Sequence, residues 1–297
     1  MTSENLSGLS RRQLLAAGGA AAVTLSVAPS LKAAPLPAPS TGDSIVQIRN
    51  ATIRVNYAGV RFLVDPMFAD PGAYPGFPGS AMSHLRNPLV PLPVAVADLV
   101  DADAVIVTHT HIDHWDDAAQ KALPKAMPIF VQNATDAATI RGQGFSDVRI
   151  MTTDTRFKGV QLARTGGHHG GDAVLRAVPT LDPVSGVVFR HQSHKSVYVV
   201  GDTIWDAAVA HAVETYKPDV IVLNAGYAQW VDLGPILMGP QGVLSVHRAA
   251  PTAQLVATHM EAINHCVLSR ADLAAFAKKE GFAQRLLIPA DGENISI

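Results

Sequence analysis

The stretch His109-Thr110-His111-Ile112-Asp113-His114 sets three imidazoles and a carboxylate within six residues, directly after the apolar run Ala104-Val105-Ile106-Val107. Such a run of small and β-branched residues predicts a short buried strand. Side chains two apart on an extended segment point the same way. His109 and His111 can therefore share one ion, while the turn through Asp113 and His114 offers a carboxylate and an imidazole to a second. Imidazole nitrogen and carboxylate oxygen suit zinc, and also manganese or iron. A single histidine at a strand end is usually a satisfied polar residue, but four donors in six residues call for metal.

Outward from this run the chain alternates strand and helix signals. Residues 45–48, 51–55 and 60–64 read as an opening antiparallel meander. Residues 70–93 carry too much proline and glycine for regular structure, yet hold Tyr74, Phe77, His84 and Arg86. A long ordered loop of this kind usually serves function, so it is the first candidate for a pocket wall. Strand 104–108, helix 116–123, strand 129–131 and helix 135–142 follow. The second half repeats the grammar, with strands 174–178, 187–190 and 196–200, helix 205–216, strand 219–223, helix 241–249, strand 254–258, helix 271–280 and strand 285–288. Two halves, each strand-rich and then mixed, predict an α/β fold in which two mixed sheets pack face to face with helices outside, an αββα four-layer sandwich.

Composition agrees with one substantial core, since 48% of the residues are hydrophobic and 16% charged. The net charge is −2 and no basic stripe is interleaved with aromatics, so nucleic acid is not an expected partner. Five of the 12 histidines, His109, His111, His114, His168 and His169, fall in two short clusters. The one cysteine, Cys266, excludes an intrachain disulfide and a cysteine-rich zinc finger; it reads as a small buried core residue.

At the amino end, Ser10-Arg11-Arg12-Gln13-Leu14-Leu15 precedes an Ala/Gly-rich apolar stretch and then a Pro/Ala segment. This resembles a bacterial twin-arginine export signal, and its apolar stretch is shorter than the ~20 residues of a spanning helix. Residues 1–40 are thus expected to be a cleaved leader and 41–297 a single domain. A periplasmic location follows, with no stable membrane anchor after cleavage.

The H-x-H-x-D-H run after a buried strand resembles the metallo-β-lactamase superfamily of metal-dependent hydrolases. The resemblance implies a third histidine for the first ion, and Thr165-Gly166-Gly167-His168-His169-Gly170 holds it; His169 is favoured over His168. It implies a bridging aspartate, met by Asp202 in Gly201-Asp202-Thr203 after an apolar strand. It also implies a late histidine for the second ion, met by His259 at a strand end, with His265 six residues on as the alternative or a substrate-facing residue. Within the superfamily, Val64-Asp65-Pro66 and Gly201-Asp202-Thr203-Ile204-Trp205 look most like the ascorbate-6-phosphate lactonase branch.

The implied cofactors are two divalent ions, zinc first and manganese or iron next. A hydroxide between them, oriented by Asp113 and Asp202, would attack an ester, lactone or phosphodiester-type small molecule. His84, Arg86, Asn224 and His265 are the substrate-binding candidates. Two rivals stand beside this reading: an iron-dependent, dioxygenase-like oxidoreductase on the same fold, and a non-catalytic periplasmic metal-binding protein.

Overall fold

The computed structural model describes residues 42–297, so the expected leader lies outside the described residues. The chain opens with strands β1 (Ser44–Arg49), β2 (Thr52–Tyr57) and β3 (Val60–Val64). After the long loop come α1 (Val96–Leu99), β4 (Ala104–Val107), α2 (Asp117–Ala122), β5 (Ile129–Val131), α3 (Ala134–Gly142) and β6 (Val148–Ile150). The second half runs β7 (Thr155–Phe157), β8 (Val160–Thr165), α4 (Asp172–Ala177), β9 (Gly186–Arg190), β10 (Val197–Val199), α5 (Ala207–Tyr216) and β11 (Val220–Asn224). It ends with the small hairpin β12 (Gln229–Trp230) and β13 (Gly234–Pro235), then α6 (Pro240–Ala249), β14 (Gln254–Thr258), α7 (Arg270–Lys279), β15 (Leu286–Leu287) and β16 (Asn294–Ser296).

Two seven-stranded sheets result, ordered β16-β1-β2-β3-β4-β5-β6 and β15-β14-β11-β10-β9-β8-β7. Each sheet joins an antiparallel meander to a parallel run, β3 to β6 in one and β10, β11, β14, β15 in the other. Strand alternation sorts the side chains into layers. In β4, Ala104 and Ile106 enter the cluster between the sheets, where they join Phe62, Phe130, Val187, Phe189, Val199 and Val222. Val105 and Val107 point the other way, into a cluster with Trp115, Ala119, Ala137 and Ile140 under α2 and α3. On the second sheet Tyr198, Ile221, Leu223 and Leu255 meet Val209, Val213, Val243, Val246 and Leu273 of the outer helices. The expected four-layer αββα arrangement is observed.

Residues 174–178, expected as a strand, form most of α4 instead. Alternation would have placed Arg176 on one face with Val174 and Val178, whereas a helical period groups Val174, Leu175 and Val178 against one apolar cluster and leaves Arg176 exposed. Asp172 in the first turn and Arg176 in the last also complement the helix dipole. Neither the hairpin β12–β13 nor, in the two large sheets, strands β6, β7, β8 and β16 were anticipated. Three of the latter lie at sheet edges, where one row of polar side chains faces water and the apolar run is too short to register.

Candidate metal centre

Strands β3, β4, β8, β10, β11 and β14 end on one edge of the sandwich, and the loops leaving them carry the polar residues, as expected where parallel strands present their carboxyl ends. Two donor groups stand there: His109, His111 and His169, and Asp113, His114, Asp202 and His259, with ligand atoms in each group within 4.8 Å of one another. Asp202 joins them. Its Oδ2 lies 4.0 Å from His109 Nε2 and 3.4 Å from His169 Nε2 on one side, and 3.0 Å from His114 Nε2 and 3.6 Å from His259 Nε2 on the other. His259 Nε2 is also 3.4 Å from Asp113 Oδ2.

The backbone that delivers these groups is specific. Gly201 adopts φ +76°, and a Cβ there would stand 2.3 Å from Ser185 O, so only glycine lets the chain turn Asp202 inward after β10. His259 holds a left-handed φ of 57°, an uncommon conformation for a residue with a side chain, and its N–H donates to Asn50 O at 2.9 Å. Asn50 Nδ2 in turn donates to Asp113 O at 2.8 Å.

Most ligating imidazoles have the second nitrogen committed elsewhere, which sets tautomer and ring orientation. His114 Nδ1 is 2.9 Å from Asp65 Oδ2, and Asp65 also accepts from the Thr108 amide and hydroxyl, each at 2.8 Å. His169 Nδ1 donates to Ile236 O at 2.8 Å, and His111 Nε2 to Thr180 O at 3.0 Å. Cys266 Sγ lies 3.3 Å from His259 Nδ1. Asn224 Nδ2 donates to Asp202 Oδ1 at 2.6 Å, and Thr258 Oγ1 donates to Asn224 Oδ1 at 2.8 Å.

The charge pattern asks for cations. Burial pushes His109 and His169 below the ordinary imidazole value. Burial acts the same way on His114 and His259, but Asp202 leads the opposing charges and lifts His114 to about 10 and His259 well above its usual range. Burial would raise Asp113 and Asp202, yet the facing His114 and His259 hold both carboxylates below their ordinary range. His109 Nε2 is buried among these donors and has no hydrogen-bond partner among the described residues. An orphaned imidazole nitrogen beside two buried carboxylates is the arrangement divalent metal satisfies.

The seven expected ligands all converge. His168 does not: it is exposed and pairs through Nδ1 with Asp206 Oδ2 at 2.6 Å, a hydrogen bond that raises its pKa. Cys266 is buried, as expected, and burial raises its thiol pKa. Of the four substrate candidates, only His265 lines the pocket above the site. Arg86 turns back on its own loop, donating to Gly72 O and Ala73 O. His84 is exposed and lies outside the pocket wall. Asn224 acts on Asp202 from beneath. Asp65 and Thr180 were missed as partners of ligands; a carboxylate ending β3 beside β4 is the signal that points to Asp65.

The pocket, about 220 Å³, opens over His111, Asp113 and His169 and is walled by Phe77, Ile112, Leu181, Trp230, Ile236 and His265. Phe77 thus meets the expectation for the proline-rich loop, whereas Tyr74 pairs its backbone with Asn87 and is not part of the wall.

Residues 60–260 match the beta-lactamase superfamily domain. The chain is 46% identical over 253 residues to UPF0173 protein YddR of Bacillus subtilis, spanning 84% of this chain and 98% of that protein. Among solved structures, the isothiocyanate hydrolase from Delia radicum gut bacteria superposes with a TM-score of 0.83 at 46% identity, over 86% of this chain and 99% of that one. A possible metal-dependent hydrolase from Veillonella parvula gives 0.84 at 39% identity, over 87% and 100%.

Proposed function

The chain belongs to the beta-lactamase superfamily and is a metal-dependent hydrolase, and on that premise we propose that it works with two divalent ions, zinc first, on small apolar electrophiles of the isothiocyanate type. The observation that carries the two-ion reading is Asp202 Oδ2, set within 4.0 Å of imidazole nitrogens from both donor groups. His109, His111 and His169 would hold one ion, Asp113, His114 and His259 the other, with Asp202 shared. Bound there, the pair supplies hydroxide at neutral pH and polarises the substrate.

The chain's own contribution is placement. Asn224, itself held by Thr258, donates to the outer oxygen of Asp202, leaving Oδ2 aimed between the two groups. The walls of Phe77, Leu181, Trp230 and Ile236 exclude water and seat an apolar group beside Asp113. Among the described residues no lysine or arginine lines the pocket, so a phosphate would meet no cationic side chain there. That weighs against the phosphodiester and sugar-phosphate lactone readings. The likeness to the isothiocyanate hydrolase supports the alternative. Water added across the C=N bond of R–N=C=S gives the thiocarbamic acid, which separates into amine and carbonyl sulfide.

The twin-arginine pattern supports a periplasmic site of action. Metal analysis together with benzyl isothiocyanate, lactone and phosphodiester substrates tests the proposal. Two metal equivalents and benzyl isothiocyanate hydrolysis abolished in His169→Ala are expected. One equivalent of redox-active iron with oxygen consumption would overturn it.

A further inference from the structure

We propose that His265 is the substrate-contacting residue that hydrogen-bonds the heteroatom at the reacting end of the bound molecule, making it the one polar specificity element in an otherwise apolar wall. This rests on the reading of the pocket over the metal centre as the substrate site.

The polar groups lining that pocket are few, and apart from the half-buried Trp230 indole and the exposed Thr180 hydroxyl the others are committed. His111, Asp113 and His169 belong to the ligand set. Ser80 Oγ donates to Phe77 O at 2.7 Å and accepts from Asn264 Nδ2 at 3.0 Å. Thr180 spends its carbonyl on His111 and lies exposed at the rim. His265 alone is buried, at 4% exposure, with its ring unspent: Nδ1 is enclosed without a partner, and among the described residues no group hydrogen-bonds either ring nitrogen. A buried polar group left unpaired costs free energy, and such groups in folded proteins call for a reason. Nε2 is unpaired too but is not enclosed, so a ligand in the pocket can reach it and give the ring the partner it lacks.

The ring is also held in place, which a binding group needs. Phe77 packs edge-on against it with centroids 5.0 Å apart. The preceding residue, Asn264, ties this segment to the pocket-wall loop: its Oδ1 accepts from Asn87 Nδ2 at 2.7 Å and the Phe77 amide at 3.3 Å, and its Nδ2 donates to Ala81 O at 2.7 Å. His265 thus stands where the proline-rich loop and the loop after β14 meet, facing the space next to Asp113.

The test uses the zinc-loaded protein and two unreactive probes of similar shape: N-benzylformamide, which carries an acceptor, and propylbenzene, which does not. By calorimetry, His265→Phe is expected to weaken N-benzylformamide binding about five- to tenfold, the size of one lost hydrogen bond, and to leave propylbenzene unchanged. His265→Gln should restore most of the difference. In the wild type, the His265 ring nitrogen signals should move with N-benzylformamide and stay fixed with propylbenzene, a readout that needs no variant to fold. Equal losses for both probes, no loss for either, no binding by the wild type, or reduced zinc content in His265→Phe would each overturn the proposal. A wild type that fails to hydrolyse benzyl isothiocyanate while passing the probe test removes the substrate assignment and keeps the role of His265.

Discussion

At the scale of single residues, the centre depends on side chains that never touch an ion. Asn224 is the clearest case: it is buried, donates to Asp202 Oδ1 and is itself held by Thr258. Removing its amide leaves the shared carboxylate free to rotate. Asn224→Ala is therefore expected to lower metal affinity about 10- to 100-fold, the usual effect of losing a partner of a ligand; competition with a chromogenic chelator measures it, and unchanged affinity would refute the orienting role. The seven donors that the structure brings together were legible in the residue run 109–114 and in the motifs at 169, 202 and 259. Asn224 was legible as a site residue but not in its role, because whether an amide faces a substrate or a carboxylate depends on a residue at the end of a neighbouring strand, here 22 positions upstream.

At the scale of elements, the proline-rich loop is ordered through Asn264. That side chain accepts from the Phe77 amide and Asn87 Nδ2 and donates to Ser80 Oγ and Ala81 O, all from a fully buried position. Asn264→Ala strips those partners at once, and a loss of about 2–3 kcal/mol follows from leaving buried groups unpaired. Urea denaturation reads the loss, and proteolysis should strike first within residues 76–87. A midpoint equal to that of the wild type would show that the loop orders itself. The sequence marked this loop as functional by composition, while the anchor is a single asparagine nearly two hundred residues downstream. Helix α4 carries the related lesson: the five-residue window 174–178 is too short to declare its period, and the cluster of Ile236, Leu181 and Ile263, against which Val174, Leu175 and Val178 pack, favours the helix that keeps Arg176 outside.

At the scale of the whole molecule, the two sheets are also joined by charge. Asp103, just before β4, accepts from Lys158 Nζ at 2.7 Å and from the Arg61 amide at 2.9 Å, and Lys158 belongs to the turn between β7 and β8 of the other sheet. Burial would raise the Asp103 carboxyl, but the Lys158 and Arg61 contacts together hold it below its ordinary value. A carboxyl depressed in the folded state contributes stability above its unfolded pKa and loses it as pH falls through the folded one. Asp103→Asn should thus destabilise the protein at pH 7 by less than about 1 kcal/mol, since the partners are largely exposed, and by less at pH 3 than at pH 7. A thermal shift of equal size at both pH values would assign the effect to packing instead.

The sequence by itself determined the layer order, the superfamily and the residues that gather as metal donors, because strand alternation and the spacing of such donors are local properties that a linear chain carries openly. The tertiary structure alone decided the distances from Asp202 Oδ2 to both donor groups, the apolar wall with His265 as its buried uncommitted group, and the retirement of His84 and Arg86 to the surface. These depend on which loops from the two sheets meet at one edge, and that meeting is a product of long-range packing.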